Sequence, residues 1–432
     1  MYSQGIAYQI QALRMNTIIK AKLKFTGSEL IRGILQSLLI AFLVLYLFIE
    51  NEIIWSLYVF FLFLIAIIRK KLVISPSIII LLLLLPLIWG FIMSFDDQPI
   101  NTAKGFFYLS VPLIMVMIGF QMAKIYDLKH FLILIRNAGN IISLIFIVFT
   151  IQRAGFNAFL SPYTEARFIV GSGSPVCVLS LILGFFSGKF GLDIYKNRYE
   201  RWIAIILNLT AIYLFASRTY WVLLVLFILL FSLKTMKKEN LLVILGLLLF
   251  IFSVISIWVN SQSDLSFANS LLFKLINSLN EIRIREFKTF EEINTYFRGY
   301  EAFRSWETYS NGNIFELIFG GGFGQLVDLK IEILLAGSYW KAVPWVHNGF
   351  FFILVKQGAL GLVFIVSFFI FFINEGIKDL NYFSRDKHFR GIMLISITLS
   401  LFITNFVDCG LFNFEMSILL ITLGFLISLK LK

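Results

Sequence analysis

Solid apolar runs of about 17 or more residues recur from residue 33 to the end of the chain, and they restrict the fold more than any other feature. A bilayer's hydrocarbon layer is about 30 Å thick and takes about 20 helical residues to cross. A helix is favoured there because it satisfies its own backbone hydrogen bonds. The chain is 59% hydrophobic and only 14% charged, against roughly a quarter charged in a soluble domain. A membrane barrel would show short alternating segments in place of solid runs, so strands are not expected. The expected fold is all-α, a polytopic membrane protein with about twelve transmembrane helices. The runs place them near 33–49, 53–68, 72–94, 105–123, 130–151, 168–188, 202–216, 220–233, 241–259, 347–373, 391–407 and 411–429. This divides the chain into a basic N-terminus (1–32), helices one to nine (33–259), a large loop (260–346) and helices ten to twelve (347–432).

The net charge of +12 could suggest a nucleic-acid partner, but its distribution points to a bilayer. If the N-terminus is cytoplasmic, the inside segments hold 23 lysines and arginines. The short outside loops hold four: Lys104, Arg153, Arg167 and Arg218. By the positive-inside rule both termini are cytoplasmic and the number of spans is even. The first apolar run is long enough to stay as a span, and no cleavable signal peptide is evident. Cys177 and Cys409 lie in or beside apolar segments and support neither a disulfide framework nor a metal site.

The loop 260–346 breaks the pattern of short connections, and a loop of that length is usually functional or disordered. Phe290, Ile293, Phe297, Tyr300, Phe303 and Trp306 recur every three or four residues, predicting an amphipathic helix with Arg298 and Arg304 beside its apolar stripe. Gly320-Gly321-Gly322-Phe323-Gly324 reads as a flexible turn.

Chemistry centres on Val346-His347-Asn348-Gly349, which opens the tenth span. His130 and His388 fall on the inside by this topology, leaving His347 as the outside histidine. A helix over 347–373 is roughly 40 Å long, so its His347 end should project into the headgroup zone. A neutral imidazole there can take a proton from a sugar hydroxyl as a general base. Alternatively it is an interfacial residue capping the helix, with Asn348 as a second cap or a substrate contact. Gly358 and Gly361 share a helix face and suit close packing of a neighbouring helix. Lys356 is either functional or snorkels to the headgroups. Arg136, inside the fifth span, reads as snorkelling to the cytoplasmic side.

Arg218, in Ser217-Arg218-Thr219, sits where two apolar helices meet, and Arg167 opens the sixth span. A guanidinium offers planar paired donors to phosphate oxygens, so the two could hold a pyrophosphate and stabilise it as a leaving group. Binding of bulk anionic headgroups is the alternative. Arg153, Arg298 and Arg304 are further candidates of the same type. The chain carries no Walker-type phosphate loop, no metal-ligand cluster and no outside Asp-x-Asp pair; Asp96-Asp97 is adjacent instead. Metal-independent chemistry without a cofactor is therefore expected.

The pair His347-Asn348 followed by Gly358-x-x-Gly361 resembles the signature of the O-antigen polymerase and O-antigen ligase superfamily. Arg218 in Ser-Arg-Thr, Arg167 ahead of Gly171 and Pro175, the large loop before the histidine, and Gly321-Gly322-Phe323-Gly324 are similar to further landmarks of that family. The likeness covers roughly residues 160–375. It implies a glycosyltransferase at the outer face of the bacterial inner membrane, acting on a glycan carried by undecaprenyl pyrophosphate. His347 would activate the acceptor, and Arg167 and Arg218 would hold the pyrophosphate. It also implies a flippase and a chain-length regulator of the same pathway as possible partners. Ligases often carry an acidic residue soon after His-Asn, whereas Phe350–Ile353 are apolar here. The stretch Arg298–Phe303 and the step Lys356-Gln357-Gly358 are closer to the polymerases. The alternatives are a ligase acting on lipid A-core and a transporter of lipid-linked glycan. Transporters tend to show repeated halves and midplane sites on broken helices, and the sequence suggests neither.

Overall fold

A computed structural model describes residues 29–49, 51–74, 76–95, 97–159, 173–235, 283–287, 289–335 and 338–429. The chain is mostly helical. Helical residues 29–45 (α1) are followed by α2 (Asn51–Arg69), α3 (Ser77–Ile92), α4 (Pro99–Met122), α5 (Leu128–Ala154), α6 (Val176–Phe186), α7 (Arg198–Phe215) and α8 (Arg218–Thr235). After the predicted span 241–259, which lies outside the described residues, come α9 (Phe290–Thr295), α10 (Phe297–Ser310) and α11 (Ile314–Phe319). A hairpin of β1 (Val327–Leu335) and β2 (Ser338–Val343) precedes α12 (Gly349–Leu380), α13 (Arg385–Val407) and α14 (Ser417–Ser428). Among the described residues α2, α4, α5, α12 and α13 are long and apolar enough to cross a membrane, and several shorter apolar helices lie beside them.

α4 packs along α14, α12 along α13, and α5 with α6 and α7 forms a second group. Apolar contact does not discriminate among helices in lipid, so short polar ties register them. Ser143 of α5 donates to Asn208 of α7 at 3.0 Å, and Asn208 donates to Asn140 at 2.8 Å. Gln121 of α4 accepts from the Val73 amide and donates to its carbonyl, at 3.2 and 2.9 Å. Asp379 of α12 and Arg390 of α13 form a two-pronged ion pair at 2.5 and 2.6 Å. Arg136 does not simply snorkel: it donates to the Ile194 carbonyl and lies 2.9 Å from Glu200, tying α5 to the start of α7.

Three features differ from the sequence reading. The all-α expectation did not include the hairpin, which is antiparallel with an irregular register between Asp328 and Ile333. The amphipathic helix is two helices, α9 and α10, parted at Tyr296. Its buried face carries Tyr300, Glu301, Arg304 and Ser305, while Phe290 and Trp306 are exposed. The tenth span is not one continuous helix, because Gly358 interrupts α12 with φ of 67°.

Candidate active site

The start of α12 is built by Asn348, whose side chain accepts from the amides of Phe350 and Phe351 at 3.1 and 3.2 Å. Those are two of the four amides a helix start leaves unpaired. Asn348 therefore caps the helix, which leaves the neighbouring imidazole available for other work. His347 donates its backbone N–H to Glu301 Oε2 at 2.7 Å, and its Nδ1 lies 2.8 Å from the same oxygen. The His347 carbonyl accepts from the Cys409 amide, so the residue is held from both sides. A carboxylate oxygen can only accept, so Nδ1 is the donor, and in the neutral imidazole this leaves the lone pair on Nε2. Glu301 is buried, with 2% of its side chain exposed, whereas His347 retains 27%. The result is an oriented imidazole with an accessible edge, backed by a buried acid.

The hairpin and α10 hold Glu301 in place. Tyr300 donates to the Leu329 carbonyl at 2.5 Å, and Arg304 donates to the Asp328 carbonyl at 2.9 Å and pairs with Glu307. Burial raises the Tyr300 phenol above its ordinary pKa, keeping it a donor. Arg304 is thus engaged in fixing the hairpin to α10. Arg298, one turn before Glu301, comes within 4.0 Å of Asp408 with a quarter of its side chain exposed. Asp408 adjoins Cys409, whose thiol is held well above its usual pKa by burial, with Asp408 and Glu301 adding to the effect. His347, Glu301, Arg298 and Asp408 therefore form one cluster at the meeting of α10, α12 and α13.

Aromatic rings surround it. Trp345 lies 4.8 Å from the His347 ring, Phe297 lies 6.2 Å from it, and Tyr108 of α4 lies 6.2 Å from Trp345. Arg218 opens α8, and two residues on, Tyr220 donates to Glu415 at 3.0 Å, in the segment that follows α13. Arg218 thus stands at the same end of the bundle as His347. Arg167 lies outside the described residues. His130 and His388 stand at the starts of α5 and α13, the opposite end. Their rings are engaged by Asp127 at 2.7 Å and by the Leu380 carbonyl at 3.0 Å. Glu301 is the functional candidate that sequence reasoning missed.

Lys356 and the glycines take roles other than those expected. Lys356 is 1% exposed and does not snorkel: its ammonium donates to the Phe323 carbonyl at 2.7 Å and to that of Gln325. Gly358 does admit a close neighbour, but that neighbour is the C-terminal end of the short helix α11 and not a second span. A Cβ there would fall 2.4 Å from the Ile318 carbonyl oxygen, because the α11–Gly320 segment presses into the break. Gly361 faces Gln357 and Ile353 of its own helix. The break leaves carbonyls without their usual partners four residues on, and Gly321 and Gly322 donate to those of Val355 and Lys356 at 2.9 and 3.2 Å. Residues 320–324 are therefore a wedge and not a flexible turn. Phe323, fully buried, fills a notch formed by Gly90 of α3 and Gly105 of α4. A broken helix is present after all, but protein backbone fills the break instead of a cavity.

No protein-family model matches the chain, and neither does any curated protein.

Proposed function

We propose that the chain is a polymerase of a bacterial surface polysaccharide (O-antigen, capsule or exopolysaccharide), of the O-antigen polymerase and ligase kind. In this reading it has about twelve spans, cytoplasmic termini and an extracytoplasmic loop over 260–346, and it resides in the inner membrane. The observation that carries the proposal is the His347–Glu301 pair, at 2.8 Å with the acid buried and the imidazole partly open.

The chemistry follows from that pair. Nε2 of His347 takes the proton of an acceptor sugar hydroxyl as its oxygen bonds to the donor's anomeric carbon. The bond from that carbon to undecaprenyl pyrophosphate breaks, and its electron pair leaves on the phosphate oxygen. Glu301 stabilises the imidazolium that forms. Arg298 and Arg218, with Arg167, are the candidates to bind the leaving pyrophosphate. Trp345, Phe297 and Tyr108 supply flat faces for sugar rings.

A deletion strain analysed by gel tests the assignment. Loss of a polymerase leaves a single repeat unit on the surface lipid. Loss of a ligase leaves none, and an unchanged ladder contradicts both.

A further inference from the structure

The loop before His347 contains a segment whose surroundings are those of membrane depth. Gly358, against which Ile318 and Gly320 press, is 16 residues before Asn374, where the amide and charged residues at the far end of α12 begin. At about 1.5 Å per residue that is about 24 Å from Asn374, about 6 Å inside a hydrocarbon layer of about 30 Å. Phe319 packs on Trp89 of α3 at 6.2 Å, and Trp89 packs on Phe364 at 5.3 Å, a residue deeper still along α12.

The backbone of this segment is satisfied as irregular backbone in lipid must be. Asn313 and Glu316 close the start of α11 in a reciprocal capping box. The Gly320 amide donates to Glu316, Gly321 to Val355, Gly322 to Lys356, Phe323 to the Ser94 hydroxyl and Gly324 to the Asp97 carboxylate. A water-facing loop has no need of protein partners for five successive amides. The side chains outside are apolar: Ile314 is 64% exposed, Phe315 66% and Ile318 41%. Phe91 and Ile92 at the end of α3, the helix on which Phe319 packs through Trp89, are likewise exposed and apolar.

We infer that residues 314–324 re-enter the membrane, and that Ile314, Phe315 and Ile318 face the acyl chains of the bilayer. Their occupant is lipid, since the segment lies at hydrocarbon depth and packs through Phe319 and Trp89 on two apolar helices of the same layer. The loop is thereby anchored in the membrane between α10 and the hairpin.

Nitroxide labels at Ile314→Cys and Phe315→Cys test this in the full chain reconstituted in phosphatidylethanolamine–phosphatidylglycerol vesicles. Lys330→Cys on the hairpin is the aqueous control, and the native Cys177 and Cys409 are buried. The expected result is at least a several-fold greater ratio of collision with oxygen to collision with a water-soluble nickel chelate at 314 and 315 than at 330. Ratios equal to that at 330 would overturn the inference. The labels report depth whether or not the protein polymerises glycan, so this result and the functional assignment stand or fall separately.

Discussion

Nδ1 of His347 lies 2.8 Å from Oε2 of Glu301, a residue 46 positions earlier in the chain and 2% exposed. The same oxygen accepts the His347 backbone N–H at 2.7 Å, so one acid fixes both the ring and the main chain at the mouth of α12. Glu301→Gln retains an acceptor oxygen but loses the charge that stabilises the imidazolium. It is expected to lower turnover roughly a hundredfold with little change in thermal stability, as measured with a synthetic lipid-linked donor and a melting curve. Full turnover in a folded Glu301→Gln protein would remove the acid from the mechanism.

The two arginines of α10 should separate by readout. Arg298 is partly exposed beside Asp408, so Arg298→Ala is expected to raise KM for the donor about tenfold, equivalent to ~1.4 kcal/mol, with the melting temperature unchanged. Arg304 is buried and bound to the Asp328 carbonyl. Arg304→Ala is expected to cost about 1.5–3 kcal/mol of stability, as for a lost hydrogen bond to a charged group. Steady-state kinetics alongside calorimetry distinguishes the two.

The wedge predicts a contrast between two phenylalanines. Phe323 is fully buried in the Gly90–Gly105 notch, and Phe323→Ala is expected to cost about 3–5 kcal/mol. Phe315 is 66% exposed, and Phe315→Ala is expected to change stability by less than about 0.5 kcal/mol. Thermal unfolding in one detergent compares them directly.

Two glycines with nearly equal φ test the break in α12. Gly155 has φ of 68° with open space around it, and Gly358 has φ of 67° with the Ile318 carbonyl where a Cβ would sit. Alanine at 155 carries only the cost of a backbone region that is essentially glycine's alone (φ 68°, ψ −169°), about 1–3 kcal/mol. At 358 it adds an overpacking cost of about 1–3 kcal/mol. Equal losses in melting temperature would mean that the wedge does not press on Gly358.

The helices were legible because solid apolar runs have few other uses, and the Asn348 cap because Asn before an apolar run is a helix-start signal. Glu301 was not legible. It stands among Tyr300, Ala302 and Phe303 on what reads as the flank of an amphipathic stripe, and its partner is brought close only by the hairpin and α12. Burial of the polar pair Glu301 and Arg304, with Trp306 outside, inverts the usual rule because that face docks through hydrogen bonds. The hairpin did leave a signal: Val327, Leu329, Ile331 and Ile333 alternate with Asp328, Lys330 and Glu332, a period of two overshadowed by the helical pattern on either side. The break at Gly358 was hidden because a glycine inside an apolar run reads as packing, and its positive φ depends on a segment some 35–40 residues away.

In the proposed mechanism His347 performs the chemistry. His347→Ala, expressed in a strain lacking the native protein, tests it through the length distribution of surface polysaccharide on a gel. The predicted result is loss of long chains, with single repeat units still attached to the surface lipid and the variant present in the membrane at wild-type level. A normal chain-length ladder from the His347→Ala protein would rule out His347 as the base.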